Sequence, residues 1–525
     1  MKMKQGLLGF GQRHLLLAAV IGASVMSAES NIAQAADTVT LHSGNISGEL
    51  LDADAGVQVF RGIPYAAPPV GDLRWTYPRD VAPWGGVKVC KDFGSVAPQN
   101  FGLTNLVGDP LPDMSEDCLF LNVWSTGVGE TADRPVMVWI HGGGFNVGWS
   151  QQSAYEGSEF AKRGIVLVTI NYRIGPLGFL SHPALSAESE HNSSGNYGLM
   201  DCVFALEWVK KNIDKFGGDS GNVTIFGESA GGSIVGALCA SPLAKGLFQR
   251  GIAQSPGISD GQYANLDKEN KHTSSAHVIG ERWASGFVDA GTEDVLATLR
   301  AIPAMDTIKR GISGKVVIDD WFMDGDALEI FAAGEQHDVS LMVGTNADEG
   351  TIFLGSYPWR TVEAYEEGMR GQFWPNTQKI LDTYVVETDE DIPIVINKFI
   401  SDTWFLRGGV EMLKGMEKVS SSAYQYVFTQ ESSRVPDNGA FHSAEMCYVF
   451  KTVHPHEERA DNPELSDAMI DYWVAFAKTG NPNVEGLPSW PKYDNTTKRY
   501  LELGEVIQTG TAYREEYLDV LNSVR

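Results

Sequence analysis

Residues 217–241 constrain the fold of this chain more than any other stretch. Residues 223–226, Val-Thr-Ile-Phe, form a short apolar, β-branched run that reads as a buried strand. Gly227-Glu228-Ser229-Ala230-Gly231 follows at once, and beyond it Ile234, Val235, Leu238 and Cys239 recur at helical spacing among small residues. A serine flanked by glycines, where a buried strand gives way to a buried helix, is the sequence context of a nucleophile elbow. The glycines have a steric reason. The turn is sharp, and a side chain at Gly227 or Gly231 would meet neighbouring backbone. Such a turn lifts the Ser229 hydroxyl out of the sheet and sets the Ala230 N–H at a helix N-terminus, where it can stabilise an anion. The plain alternative is a glycine-rich turn with an incidental serine, and the matching flanks argue against it. Ser229 is the candidate nucleophile.

A second glycine run lies upstream. Residues 135–140 are nearly all apolar, as in a central parallel strand buried on both faces, and lead straight into His141-Gly142-Gly143-Gly144-Phe145. Three consecutive glycines cost backbone entropy and contribute nothing to packing. At the carboxyl end of a central strand they let backbone N–H groups face the crevice where open α/β sheets bind ligands, as in an oxyanion loop.

The rest of the pattern fills in around these two loops. Residues 39–60 read as antiparallel strands across a Gly56 turn, and the Pro-rich stretch 62–71 as an ordered loop. Further buried strands are expected at 119–124, 165–170, 252–255 and 339–345, with 423–429 as the last clear strand. Leu199, Val203, Leu206, Val209 and Ile213 make one stripe of a helix over 196–216, and an amphipathic helix is expected at 465–478. Residues 264–333 and 355–420 are helical in pattern. This order predicts a doubly wound α/β sheet with an antiparallel start, in one domain over residues 36–525, capped by helical insertions.

Composition narrows the function classes. A net charge of −27 disfavours nucleic acid and anionic membranes as partners. Lys2, Lys4 and Arg13 precede an uncharged stretch at 15–28, and Ala33-Gln34-Ala35 offers a cleavage site, so residues 1–35 read as a secretory signal peptide. Secretion or periplasmic export is expected, and the apolar run is short for a membrane anchor. The chain has five cysteines, of which Cys202 and Cys239 lie in apolar helical stretches; Cys90 and Cys118 are the one pair expected to be able to bridge. No Cys/His cluster suggests a metal site.

A serine hydroxyl needs a base, and the base needs an orienting acid; in this fold class they follow in the order Ser, Asp/Glu, His. His442, in a loop of small and polar residues after a C-terminal strand, is the candidate base, with His454 and His456 as rivals. Asp348 and Glu349 both close the strand at 339–345, and alternation does not choose between them.

The chain resembles the type-B carboxylesterase family, the group of carboxylesterases and cholinesterases. The stretches that carry the likeness are Phe60-Arg61-Gly62-Ile63-Pro64-Tyr65-Ala66, Ser115-Glu116-Asp117-Cys118-Leu119-Phe120-Leu121-Asn122, Gly142-Gly143-Gly144-Phe145, Asn171-Tyr172-Arg173, Gly195-Asn196-Tyr197-Gly198-Leu199-Met200-Asp201 and the block 216–232. The resemblance implies an α/β-hydrolase fold, with Ser229 as nucleophile, Glu349 as acid and His442 as base. It implies an oxyanion hole from the N–H groups of Gly143, Gly144 and Ala230. Glu228 and Ser255 are expected in the layer behind the triad, and Arg74 with Glu116 and Arg173 with Asp201 match buried ion pairs of the family. No cofactor is implied. The chain departs from the family pattern in two places. The early cysteine usually stands just before Pro-Gln, where Ala97 stands here, and Cys90 lies seven positions earlier. The base is usually followed by Gly; here Ser443 follows, and Met446-Cys447 replaces a frequent Leu/Ile-Pro, which should reshape the pocket wall.

The expected function is that of an exported serine esterase acting on a small-molecule ester through an acyl-enzyme. A non-catalytic adhesion protein on the same fold is the rival of a different class, and it would lack triad members. Amide or lactone hydrolysis by the same machinery is a further alternative. Trp149, Trp359, Trp374 and Trp404 either line an aromatic gorge or belong to the core. The ester itself and the oligomeric state are not encoded legibly.

Overall fold

The apolar segments at 135–140, 165–170, 223–226, 252–255, 339–345 and 423–429 become neighbours in one large sheet. The structure, a computed structural model, describes residues 35–524 except 101–107, 454–461 and the single positions 260, 290, 313 and 434. The expected signal segment up to residue 34, and the rival histidines His454 and His456, lie outside the described residues.

The chain opens with β1 (Ala35–Leu41), β2 (Gly44–Asp52), β3 (Val57–Pro64) and the short β4 (Val87–Val89). Next come β5 (Phe120–Ser125), β6 (Arg134–Ile140), β7 (Val166–Ile170), β8 (Gly218–Glu228) and β9 (Arg250–Gln254). A separate parallel pair, β10 (Tyr263–Asn265) and β11 (Val316–Ile318), lies in the first helical insertion. The last four are β12 (Ser340–Asn346), β13 (Ala423–Phe428), β14 (Arg499–Leu503) and β15 (Gln508–Thr511). The large sheet runs β1-β2-β3-β5-β7-β6-β8-β9-β12-β13-β14-β15, with β4 beside β2. Its first strands pair antiparallel and the strands from β7 to β14 pair parallel, as the sequence order predicts.

Both faces of the central strands are buried, which explains their unbroken apolar runs. Val136, Val138, Ile140, Val223 and Ile225 face the helices Tyr197–Asn212 and Ala230–Ala240. Met137, Trp139, Phe226 and Ile252 face the helix Pro463–Thr479, through side chains such as Met469 and Trp473. The register keeps the strand ends level. Ile140 pairs with Gly227, Glu228 with Gln254, and Asn346 with Phe428. The loops that follow β6, β8, β9, β12 and β13 therefore open along the same edge of the sheet, where open α/β sheets bind ligands.

The structure corrects several expectations. β13 is not the last strand: β14 follows, with Leu501 and Leu503 buried and the charged Arg499 and Glu502 diluting the apolar signal. β4, β10 and β11 are three residues each, too short to show an alternation. Cys90 and Cys118 carry no disulfide bond. Cys90 is tied to β2 and β3 through backbone bonds with Ser47 and Arg61, Cys118 stands just before β5, and burial raises the thiol of Cys90 to about 11. The two ion pairs form as the resemblance implies. Arg74 reaches Glu116 through Nε and Nη2 at 2.6 Å each, and Arg173 reaches Asp201 at 2.8 and 2.7 Å.

Candidate active site

Ser229 is the hinge between β8 and the helix Ala230–Ala240, at φ 58°, ψ −120°. A non-glycine residue in this region is strained, and it persists only where its surroundings over-determine it. They do so here. The Ser229 N–H donates to Gln254 O at 2.9 Å, and its carbonyl accepts from the Ser233 N–H at 2.9 Å. A Cβ on Gly231 would lie 2.0 Å from Ile140 O, and one on Gly227 2.6 Å from the same atom, so both glycines are sterically required.

Strand β12 delivers the two adjacent carboxylates to different places. Glu349 is fully buried, accepts from the Asn346 N–H at 2.8 Å, and lies with Oε2 2.5 Å from His442 Nδ1. Asp348 instead accepts from Asn397 Nδ2 at 2.9 Å and from the Ala440 N–H at 3.1 Å, pinning the loop that carries His442. Of the two carboxylates, Glu349 is the one in contact with His442.

The His442 ring packs against Phe405 and Phe353, with centroids at 4.5 and 5.2 Å. Its Nε2 lies 3.1 Å from Glu228 Oε1, and no described hydrogen bond joins it to the Ser229 hydroxyl. The same Glu228 oxygen accepts from the Ser443 hydroxyl at 2.5 Å. A third buried carboxylate, Glu445, accepts from Gln254 Nε2 at 3.1 Å and Asn346 Nδ2 at 2.7 Å. Burial by itself would lower the imidazole, but Glu228, Glu349 and Glu445 override it and hold His442 up at about 9. Burial, reinforced by the charges of Glu228 and Glu349, raises Glu445 to about 7. Glu228 is likewise raised by burial, while His442 and Ser443 oppose the shift. Three buried carboxylates thus surround one imidazole, and Glu228, Glu445 and His442 each bind a proton more tightly than usual.

Sequence reasoning did not find Glu445, Asn346 or Gln254. Glu445 stands three residues after His442, and only the turn that holds both reveals its inward direction. Ser255, expected in the layer behind the triad, directly follows β9. It is buried at φ 44°, its N–H donates to Gly344 O, and its hydroxyl has no hydrogen-bond partner among the described residues.

Gly142, Gly143, Gly144 and Ala230 line, with Ser229 and His442, one cavity of about 670 Å³. Among the described residues none accepts a hydrogen bond from the amides of Gly143, Gly144 or Ala230. Gly143 stands at φ 114°, where a Cβ would lie 1.9 Å from Val147 O. The loop is fixed from behind by Tyr172, which donates to His141 O at 2.8 Å and stacks on the His141 ring. Burial lowers His141 to about 4, so this ring stays neutral. The cavity wall includes Phe145, Phe353, Trp404, Phe405, Phe441 and Tyr448, together with Met446 and Cys447. Of the four tryptophans weighed from sequence, only Trp404 lines it. Trp149 is in the core, Trp359 packs on Tyr357 and Tyr365, and Trp374 is 77% exposed. Among the described residues no group of three or more His, Cys, Asp or Glu side chains is arranged to hold a metal ion, and no helix is long and apolar enough to cross a membrane.

Comparison with known proteins agrees with this architecture. Residues 35–521 match the model of the Carboxylesterase family. The chain is 36% identical over 464 residues to the fumonisin B1 esterase of Sphingopyxis macrogoltabida, covering 85% of this chain and 84% of that protein. It is 34% identical over 493 residues to the para-nitrobenzyl esterase of Bacillus subtilis (strain 168), covering 89% of this chain and 95% of that one. A solved PNB esterase structure superposes with a TM-score of 0.78 at 30% identity, covering 92% of this chain and 99% of the other, which gives the α/β-hydrolase fold. The chain belongs to the carboxylesterase family and is a carboxylic ester hydrolase.

Proposed function

We propose that Ser229, His442 and Glu349 form the catalytic triad of a serine esterase for uncharged, largely apolar esters. The observation that carries this reading is the buried 2.5 Å contact between Glu349 and His442, which lines the same cavity as Ser229. Nδ1–H donates to Glu349, which fixes the ring tautomer and leaves Nε2 to take the Ser229 proton. Ser229 Oγ attacks the ester carbonyl, and the amides of Gly143, Gly144 and Ala230 receive the oxyanion. Each such donor is worth on the order of 3 kcal/mol in other serine hydrolases. The alcohol leaves with a proton from His442, and water, deprotonated by the same imidazole, releases the acid.

The preference for uncharged esters rests on the wall. Among the described residues that line the cavity there is no lysine or arginine, and seven of them are Phe, Tyr or Trp. Export is part of the same proposal. The family match begins at residue 35, where the expected cleavage site ends. N-terminal sequencing of protein recovered outside the cytoplasm should begin near residue 36.

Ser229→Ala should abolish turnover of aryl and alkyl esters in a folded protein, and an active-site phosphonylating or sulfonylating reagent should label Ser229 alone. Near-normal turnover in the folded Ala variant would remove the nucleophile assignment. Hydrolysis of carboxylate-bearing analogues as fast as of neutral ones would remove the substrate-class assignment.

A further inference from the structure

Ser443 stands where the family favours glycine. Its backbone lies in the left-handed region, at φ 73°, which glycine adopts freely and serine adopts at a cost. The hydroxyl at this strained position has a specific partner. It donates to Glu228 Oε1 at 2.5 Å. The same oxygen faces His442 Nε2 at 3.1 Å, the nitrogen that must receive the Ser229 proton. Glu228 ends β8 and lines the same cavity as Ser229 and His442. It is buried, and a Cβ on Gly142 would come within 2.7 Å of its other carboxylate oxygen.

We propose that Ser443 is a positioning residue for the esterase reaction: its hydroxyl holds the Glu228 carboxylate across Nε2 of His442, so that in the free enzyme the base is engaged by Glu228 and turns to Ser229 only when that contact opens. This rests on the reading of His442 as the base. The groups around the contact settle the sign of its effect. His442 faces Glu349 at the end of β12, Glu228 at the end of β8 and Glu445 on its own turn, with the uncharged rings of Phe353 and Phe405 completing its surroundings. Glu228 faces His442 and Ser443, feels the charge of Glu349, and lies near the buried phenols of Tyr155, Tyr172 and Tyr426. No described ion pair brings a lysine or arginine to any of the three carboxylates. The Ser443 hydrogen bond therefore favours ionised Glu228, and ionised Glu228 favours the imidazolium. Without the hydroxyl, Glu228 takes up a proton more readily, and His442 loses its own at lower pH.

The test is the pH dependence of kcat/KM on a neutral ester for the parent, Ser443→Gly and Ser443→Ala, with thermal unfolding of each. Both variants lack the hydroxyl, and only Gly also relieves the backbone. The acid limb should move down by about 0.5–1 pH unit in both, giving about threefold or greater rates at a fixed pH on that limb. The Gly variant should melt no lower than the parent. An unmoved limb in both variants overturns the proposal, as does a shift in Ser443→Gly alone, which would place the effect in the backbone. His442→Gln in the parent separates the two readings. If it retains turnover, the base assignment itself falls. If it is inactive and the Ser443 limbs do not move, only the role of Ser443 falls.

Discussion

Oε2 of Glu349 lies 2.5 Å from Nδ1 of His442, although 93 positions of sequence separate the two residues. Asp348, one residue earlier, faces Asn397 and the Ala440 amide instead. The two carboxylates leave the same strand, so their division of labour comes from the turn Glu349–Ser356 that begins between them. Glu349→Gln should lower kcat by about 10⁴, the loss seen when another triad acid is replaced by its amide, with little change in melting temperature. Asp348→Asn should keep its turnover and lose about 1 kcal/mol of stability from a weakened loop contact. Steady-state kinetics and thermal unfolding of the pair decide this, and the reverse pattern would assign the acid to Asp348.

The pH dependences of activity and stability should run in opposite directions. The base must be neutral to take a proton, and His442 is held up at about 9. Activity on a neutral ester should therefore rise through the neutral range toward alkaline pH. Stability behaves otherwise. A histidine raised in the folded state contributes stability that is fully present below its ordinary value of 6.5 and is lost as pH rises through about 9. Glu445, raised from 4.5 to about 7, also binds its proton more tightly when folded, so its contribution is lost between those values. Melting temperature should fall as pH increases through both windows. Glu445→Gln should flatten the lower part of that fall. A melting temperature that climbs across this range would contradict the tighter proton binding of His442 and Glu445 in the folded state.

How much of this was legible in the sequence follows from how local each signal is. The elbow at Ser229 and the run Gly142-Gly143-Gly144 were readable because their steric demands act within a few residues of chain. Gly231 has no space for a Cβ, and only glycine suits the backbone at Gly143. The central strands were readable because burial on both faces leaves uninterrupted apolar runs. Which carboxylate meets His442 was not readable from its neighbours. Whether Asp348 or Glu349 turns toward His442 is set by Asn397 and Ala440, both distant in sequence, and the resemblance to a family was needed to choose. Glu445 was missed for the same reason: its partners Gln254 and Asn346 come from two other strands. Trp374 and Trp404 are equally hydrophobic letters, and only the packing of the helical insertion sends one to solvent and the other to the cavity.

Backbone strain at Ser229, the proposed nucleophile, should separate two variants by their stability. At φ 58°, ψ −120° Ser229 carries a cost of about 1–3 kcal/mol that a glycine would not bear. Ser229→Gly and Ser229→Ala should both abolish hydrolysis. Only the Gly variant should gain stability, by roughly that amount less the entropy a glycine adds to the unfolded chain. Ser229→Ala should unfold near the parent temperature, since it keeps the strained backbone and removes a single half-buried oxygen. Equal melting temperatures for Gly and Ala would mean that the elbow stores no strain.

The two ion pairs should differ in what they cost to break. Arg173 and Asp201 are both buried, and the guanidinium makes a two-point contact while its own backbone N–H donates to Asp201 at 2.9 Å. Arg173 also donates to Thr76 O at 2.8 Å, so it ties the loop after β7 to the helix Tyr197–Asn212 and to the Pro-rich N-terminal region. Replacing Asp201 by Asn leaves a guanidinium buried without a counter-charge, which should cost about 3–5 kcal/mol. Arg74 and Glu116 share the same two-point geometry, but Glu116 keeps 16% of its side-chain surface in water. Glu116→Gln should therefore cost less, because solvent remains available to both charges. Since neither pair lines the cavity with Ser229, specific activity per folded molecule should stay near the parent value in both variants. Chemical denaturation paired with active-site titration separates these effects, and a loss of turnover in the folded Asp201→Asn protein would show that the pair acts on the site itself.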